Sequence, residues 1–215
     1  MSRNGRSFYI PLMPKVSAAH RERRRRQILD AALACFLRKG LHETSMQDIF
    51  GESGLSAGAV YRYFPSKDEL IKAITAETSA AMNATFVPLI TQDPPAPLPA
   101  VIAAIGPRIA ELAREGGPLR LAPQAWALVL SEPGLGDHAR ETMAMLRDLW
   151  IAYAARLAET GALPPGTDHV AVGKTMFALM HGFLLQTVVL GDITPDELAT
   201  GVGALPRPDL RAARG

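Results

Sequence analysis

Residues 44–70 of this chain read TSMQDIFGESGLSAGAVYRYFPSKDEL, and this stretch decides the fold. Ser45 and Asp48 have the spacing of a helix-capping pair, so a short helix is predicted to begin after Ser45 and to end before Gly54. The serine after this turn can cap a second short helix over about 57–64. Two short helices joined by a three-residue turn that contains glycine form a helix-turn-helix pattern.

One further helix is predicted before this stretch. From about Arg21 to Lys39 the apolar residues repeat at helical spacing, and Gly40 suits a left-handed cap after the last turn. Residues 1–19 show no sustained periodicity and contain glycine and proline, so we expect a flexible extension there. The three helices together predict a helix-turn-helix domain over residues 20–66.

The chain after residue 66 is punctuated by proline and glycine at intervals that predict long helices. The candidate helices span about 67–90, 98–115, 119–131, 137–160, 168–190 and 195–204. Pro107 and Pro123 are expected to bend or offset the helices that contain them. No alternating apolar run is long enough to predict a strand. The sequence therefore predicts an all-α protein, in which the N-terminal three-helix domain precedes a larger helical domain over 67–204 and a flexible tail over 205–215.

Charge is distributed unevenly along the chain. Residues 1–65 hold 11 Lys or Arg against 5 Asp or Glu, whereas residues 66–215 hold 12 against 16. A basic N-terminal third indicates that one end of the protein meets a polyanion, either nucleic acid or an anionic membrane surface. A solvated basic face is the simpler alternative at this stage.

The apolar run over 170–190 raises the question of a membrane span. Lys174, His181 and Gln186 interrupt the run, and polar groups are costly inside a bilayer, so we expect a buried helix and no membrane partner. The single cysteine, Cys35, cannot form an internal disulfide, and the N-terminus lacks the continuous apolar core of a signal peptide. The expected compartment is the cytoplasm.

One set of N-terminal residues has the order and spacing of a known family. The set comprises Arg23 to Arg26, Gly40, Thr44, Ser45, Asp48, Ile49, Gly54, Leu55, Ser56, Gly58, Tyr61, Tyr63, Phe64, Lys67 and Leu70. This pattern resembles the TetR family of transcriptional repressors, with Phe50 and Ser53 at positions where the family usually has alanine. The resemblance implies that the helix-turn-helix binds double-stranded operator DNA and that the C-terminal domain forms a homodimer and holds a small-molecule effector.

Physical reasons support particular DNA contacts. Ala57 and Gly58 are small enough for the second short helix to approach the major groove closely, and Tyr61 and Tyr63 are placed to reach phosphates on either side. Lys67 adds its charge to the N-terminal dipole of the next helix. Either tyrosine could instead be a core aromatic. The predicted DNA-binding residues are Arg24, Arg25, Thr44, Ser45, Gln47, Ser56, Ala57, Gly58, Tyr61, Arg62, Tyr63 and Lys67.

An enzyme is the first alternative. The five histidines are scattered, and the pair His138 and Glu141 lacks the second motif and the extra carboxylates that a di-metal helical bundle needs. No serine or Cys35 has a recognisable catalytic partner. We therefore expect no catalytic residue, no metal and no cofactor. A DNA-binding protein without a ligand is the second alternative, although the long C-terminal region exceeds what DNA binding requires.

The resemblance implies an effector site among the C-terminal helices. The candidate ligand-binding residues are Met82, Phe86, Ile109, Trp126, Met143, Leu146, Trp150, Phe177 and His181, with Ile105 and Leu130 beside them. From the residues alone, most of these are simply core. Because His181 is the main polar group in this set, a largely neutral, hydrophobic ligand is expected.

The helix predicted over 168–190 also offers a candidate dimer interface. Its residues Met176, Leu179, Met180, Phe183 and Leu184 recur at helical spacing and could pair, together with the helix that begins at Pro195, with a symmetry mate. The resemblance points to the same two helices.

Overall fold

The computed structural model describes residues 18–131 and 134–205. The predicted flexible segments at 1–19 and 205–215 fall almost entirely outside these ranges. The nine α-helices of the described residues are α1 (Ala18–Lys39), α2 (Met46–Ser53), α3 (Ala57–Tyr61), α4 (Lys67–Thr91), α5 (Leu98–Ala113), α6 (Ala122–Ser131), α7 (Leu135–Glu159), α8 (His169–Val189) and α9 (Pro195–Ala204). Of the residues that the structure describes, 78% are helical and none lies in a strand, so the predicted all-α class is confirmed.

Most predicted helices agree closely with the observed ones, and two differ. Helix α3 has five residues and ends at Tyr61, three residues earlier than predicted. The segment predicted as one helix over 119–131 is a 3₁₀ turn, Pro118–Leu121, followed by α6. The change from the 3₁₀ turn to α6 falls directly before Pro123, which lies in the first turn of α6, where a missing N–H costs little.

The N-terminal helices share one hydrophobic core. Phe36 of α1, Ile49 of α2 and Val60 of α3 are fully buried in it. This core continues past residue 66, because Leu70 of α4 belongs to it, and it also takes in Leu135 at the start of α7. The helix-turn-helix thus rests directly on the C-terminal helices.

A second core holds the C-terminal helices together. Tyr153 of α7 is fully buried there, and its hydroxyl donates a hydrogen bond of 2.6 Å to the carbonyl of Ala96. Helices α7 and α8 pack closely because Gly173 faces the α7 backbone. A Cβ atom at Gly173 would lie 2.5 Å from the Cα of Ile151. Any larger residue at this position forces the two helices apart.

The predicted dimer face of α8 is wrong. Met176, Met180, Phe183 and Leu184 are buried within the protein's own core, and Leu179 is partly buried. These side chains are therefore not available to a second copy. The reason for the error is that α8 is apolar around most of its circumference, so periodicity could not say which side faces inward.

The opposite side of α8 is exposed and partly apolar. Leu185 is 45% exposed and Val189 is 63% exposed. The expectation of a buried helix therefore holds for one side only. By length and composition, α8 is also the one helix in the described ranges that is long and apolar enough to cross a membrane.

Candidate nucleic-acid interface and internal cavity

The start of α2 is fixed by a complete capping box. The Ser45 hydroxyl accepts from the backbone N–H of Asp48, and the Asp48 carboxylate accepts from the backbone N–H of Ser45 at 2.9 Å. Lys39 donates to the same carboxylate at 2.5 Å. The hydrogen bonds from Lys39 and from Ser45 hold the pKa of Asp48 well below its usual range. This network ties the end of α1 to the beginning of α2.

A tight turn then presents α3 to solvent. Gly54 has a left-handed backbone with φ of +66°, which glycine adopts without strain. Ser56 caps α3 by accepting from the N–H of Ala59, and the buried Val60 anchors the helix. Ala59, beside this anchor, is half-buried. Ser56, Ala57 and Gly58 are exposed.

Tyr61 lies at the end of α3 and is 46% exposed. Its ring stands edge-on against Phe50 of α2, with 5.3 Å between the ring centroids. Phe50 therefore supports Tyr61 at the surface. Arg62 is exposed and Tyr63 is half-buried. The alternative that Tyr61 is a core aromatic is wrong.

Lys67 begins α4 and points back toward the helix-turn-helix. Its Nζ donates to the carbonyl of His42 at 2.9 Å, and its side chain stays partly exposed. Gln47 is exposed on α2. Lys67 thus holds the α1–α2 connection while its charge lies near the N-terminus of α4.

Thr44 does not face solvent, so its prediction as a side-chain contact to DNA is corrected. Thr44 is only 2% exposed, and its hydroxyl donates to the carbonyl of Gly40 at 2.7 Å. The side chain satisfies a carbonyl that the end of α1 would otherwise leave unpaired.

The arginines of α1 have partners inside the protein. Arg25 and Arg26 both bond to Glu77 of α4, at 2.5 and 2.8 Å respectively. Arg24 donates to Gln27 one turn along its own helix. Arg25 is therefore part of the contact between α1 and α4, and sequence reasoning did not single out Glu77 as its partner.

A partly open cavity of about 180 Å³ lies between α1 and helices α4 to α8. Eight of the nine predicted ligand-binding residues line this cavity: Met82, Phe86, Ile109, Trp126, Met143, Leu146, Trp150 and His181. Ile105 lines it as well. The chain has two tryptophans, and both are among them.

Two of the positions suggested from the sequence lie elsewhere. Phe177 does not line the cavity; its ring lies against His181, with 3.9 Å between the centroids. Leu130 is 91% exposed at the end of α6. Both lie on helices that carry true lining residues, but they point in other directions around the helix axis.

Sequence reasoning missed most of the polar lining of the cavity. These residues are Thr75, Thr78, Ser79, Asn83, His138 and Thr142. Four of them share the face of α4 that carries Met82 and Phe86, so helical spacing from those two residues was a usable signal. The described residues that line the cavity include no Asp, Glu, Lys or Arg. Arg147 and Asp148, which come directly after a lining residue, pair with each other at 2.7 Å instead.

His181 is held in one orientation. Its Nδ1 lies 2.9 Å from the carbonyl of Phe177, and because a carbonyl can only accept, Nδ1 carries a proton. Burial lowers the pKa of His181, which favours the neutral ring. In the neutral ring, Nε2 is a hydrogen-bond acceptor. In the part of the chain that the structure describes, no group of three or more His, Cys, Asp or Glu could hold a metal ion.

The cavity also touches the helix-turn-helix unit. Phe36 of α1, Leu41 of the α1–α2 connection and Ile71 of α4 line one side of it. Gln124 of α6, between the lining residues Ala122 and Ala125, accepts from the backbone N–H of Leu41 at 2.8 Å. One hydrogen bond thus joins a wall of the cavity to the base of the helix-turn-helix.

Comparison with known proteins agrees with both parts of this architecture. Residues 28–74 match the family model described as bacterial regulatory proteins, tetR family, and residues 109–204 match the model of the BetI-type transcriptional repressor C-terminal region. Over 72 residues the chain is 40% identical to the HTH-type transcriptional repressor Rv1474c of Mycobacterium tuberculosis, and this match covers 34% of the chain and 38% of the relative. Over 183 residues it is 24% identical to the regulator BetI of Serratia proteamaculans, covering 83% of the chain and 87% of the relative. The chain spans only about a third of the length of the curated relatives that it matches at higher identity.

Solved structures show the same fold. A complex of SmeT with triclosan superposes with a TM-score of 0.68 at 22% identity, covering 86% of this chain and 98% of that one. AibR, in complex with isovaleryl coenzyme A and operator DNA, superposes with a TM-score of 0.60 at 16% identity, covering 83% and 95%.

Proposed function

The chain belongs to the TetR family of transcriptional regulators, and on that premise we propose that it is a repressor that binds palindromic operator DNA as a homodimer and leaves it when a small apolar effector binds. In this proposal residues 20–66 bind DNA, residues 67–204 dimerise and hold the effector, and the protein acts in the cytoplasm. We propose no catalytic residue, metal or cofactor. The relative Rv1474c is described as a transcriptional repressor, which supports repression and not activation for this protein.

The exposed start of α3 is the part of the protein that we propose to contact base edges in the major groove. Nothing lies within 4 Å of a Cβ atom placed at Gly58, so this turn is open to a partner. Small residues there let the helix backbone come close to base edges. Tyr61, supported by Phe50, and the partly exposed Lys67 are placed to hold phosphates on the groove walls. Tyr63 is proposed to act with them.

Further contacts complete the proposed DNA surface. Gln47 is exposed on α2 and is a candidate base reader, while Arg62 and Arg24 supply positive charge. Ser45 and Ser56 cap the two short helices, and both are exposed, so their side chains are proposed to lie at the DNA surface. Arg25 contributes indirectly, by fixing α1 against α4 through Glu77.

The proposed dimer interface is the exposed side of α8 together with α9. Five of the nine large apolar side chains that are exposed in the described residues lie on or beside these two helices: Val170, Leu185, Val189, Leu190 and Leu205. Helix α9 has no buried residue of its own. An exposed apolar surface of this kind is typical of an interface between copies of a chain, and pairing α8 and α9 with their symmetry mates would cover it.

The observation that carries the effector proposal is that one cavity is bounded both by the long C-terminal helices and by the helix-turn-helix unit. Phe36 and Leu41 line the same space as Trp126 and Trp150. A molecule that favours one arrangement of these walls would, in this proposal, also favour one arrangement of the helix-turn-helix unit. The complexes of SmeT with triclosan and of AibR with isovaleryl coenzyme A support this proposal, since both are proteins of this fold that hold small molecules.

Operator binding is tested by selecting duplexes from a random library with the purified protein. We expect enriched duplexes to contain an inverted repeat, since a two-fold dimer reads two half-sites. Fluorescence anisotropy on the selected operator, with and without candidate effectors, then measures release. Failure to enrich any sequence above non-specific binding would contradict the operator proposal.

The interface is tested by sedimentation of the variant Leu185→Glu beside the control Met145→Glu. The leucine and the methionine are about equally exposed, but Met145 lies on α7. A buried unpaired charge opposes association, so the first variant should become monomeric at micromolar concentration while the second stays dimeric. A dimeric Leu185→Glu protein, or a monomeric unmodified chain, would overturn the interface.

A further inference from the structure

Two polar atoms in the wall of the cavity have no hydrogen-bond partner within the described protein. They are Oδ1 of Asn83 on α4 and Nε2 of His138 on α7, and both are buried. Buried polar groups in folded proteins are nearly always paired, because leaving one unpaired costs free energy. A molecule bound in the cavity could therefore supply the hydrogen bonds that these two atoms lack.

The rest of the cavity wall limits what that partner can be. The described lining residues include no Asp, Glu, Lys or Arg, so an ionic ligand would lose its hydration without gaining a carboxylate, ammonium or guanidinium partner. His181 is neutral and offers a further acceptor at Nε2. The hydroxyl of Thr142 already donates to the carbonyl of His138, and that of Thr78 donates to Ile74. The hydroxyls of Thr75 and Ser79 and the amide nitrogen of Asn83 can donate from the same wall, so a ligand group that both donates and accepts suits it.

Volume limits the ligand as well. An engineered apolar cavity of about 150 Å³ takes a benzene molecule. The cavity here, at about 180 Å³, suits one substituted ring or an apolar chain of similar bulk. Trp126, Trp150 and Phe86 supply aromatic walls around it.

We propose that the effector is an uncharged apolar molecule that bears a hydroxyl group, whose hydrogen is donated to Asn83 and whose recognition is completed by His138. This rests on the effector role proposed above and deepens it. A hydroxyl both donates and accepts, so it fits Asn83 as an acceptor and either tautomer of His138. A methyl ether of the same shape cannot donate, and a hydrocarbon can do neither.

The test compares para-propylphenol with its methyl ether and with propylbenzene. Because both tryptophans of the chain line the cavity, their fluorescence, excited at the red edge of tryptophan absorption, reports binding without DNA. We expect the phenol to bind about tenfold more tightly than the ether, which is the effect of one buried hydrogen bond. Equal binding of all three compounds would overturn the proposal, because water and not the ligand would then satisfy the two atoms.

Substitutions in the cavity wall test which residues cause the tighter binding of the phenol than of the ether. Asn83→Leu should reduce the phenol-to-ether ratio to about one. Gln92→Leu, which removes an exposed amide outside the cavity, should leave the ratio unchanged. His138→Phe is a second variant in case Asn83→Leu does not fold, as judged by circular dichroism, and it should also lower the ratio. A ratio that survives in both folded variants would overturn the assignment.

Operator release is measured separately by anisotropy on the selected operator. Selective binding of the phenol that leaves DNA affinity unchanged would contradict the effector role but not the hydroxyl site. Release by the phenol and the ether at equal concentrations would support the effector role and overturn the hydroxyl site. The two proposals can therefore fail independently.

Discussion

The hydrogen bond between Gln124 and Leu41 gives the sharpest test of how the cavity communicates with the DNA-binding unit. Leu41 is 4% exposed, and its backbone N–H donates to Oε1 of Gln124 at 2.8 Å. A Cβ atom at Gly40 would lie 3.2 Å from the same oxygen, so α6 rests directly against the end of α1. The substitution Gln124→Met keeps the length of the side chain and removes the acceptor.

The magnitude follows from the burial of the amide that loses its partner. An unpaired buried donor costs about 1–3 kcal/mol. Coupling between two sites in an allosteric protein is typically of the same size, about 5–150-fold in affinity. If movement of α6 reaches the helix-turn-helix through this bond, Gln124→Met should reduce the coupling at least about fivefold. Affinity of the free protein for the effector should change much less, because the Gln124 side chain does not line the cavity.

The assay measures operator affinity by anisotropy with and without saturating para-propylphenol, and the ratio of the two affinities is the coupling. Gln92→Met is the matched control, since Gln92 is exposed at the end of α4 and away from the cavity. Thermal denaturation confirms that each variant is folded. An unchanged coupling in a folded Gln124→Met protein would refute the reasoning and place the transmission in α4 instead.

Three other predictions test the packing, the DNA surface and the cap. Gly173→Ala should destabilise the protein by about 1–3 kcal/mol in chemical denaturation, because its Cβ meets the backbone of α7, whereas Gly51→Ala, with open space around it, should be neutral or stabilising. Lys67→Ala should lower the salt slope of operator binding by about 0.9 for each phosphate that the lysine neutralises, while Lys174→Ala should not; an unchanged slope would contradict the placement of Lys67 on DNA. Because the pKa of Asp48 is lower in the folded protein than in the unfolded chain, its carboxylate stabilises the fold near neutral pH, and this stabilisation is lost as the pH falls through the pKa of the folded state. The stability difference between the parent and Asp48→Asn should therefore disappear in acid. A difference that stays constant with pH would contradict the ion pair.

The sequence by itself determined the local structure of the DNA-binding unit. The Ser45 and Asp48 cap, the left-handed Gly54 and the Ser56 cap all depend on atoms within a few residues, so their geometry follows from spacing alone. The same is true of α9, whose observed bounds equal the predicted ones because Thr194 and Glu197 form a capping box. Punctuation by proline and glycine likewise located the long helices.

Only the tertiary structure decided which side of each helix faces which neighbour. Thr44 matches the family pattern, yet its hydroxyl is turned inward because the carbonyl of Gly40 comes within reach when the chain folds back. On α8, Met180 and Leu185 are equally apolar in sequence, and the close approach of α7 buries one and leaves the other exposed. Asn83 and His138 lie far apart in the chain and line one cavity only because α4 and α7 both border it. Caps and turns depend on interactions within a few residues, so they can be predicted from the sequence. Burial depends on contacts between helices, and no local pattern specifies how the helices are rotated relative to one another.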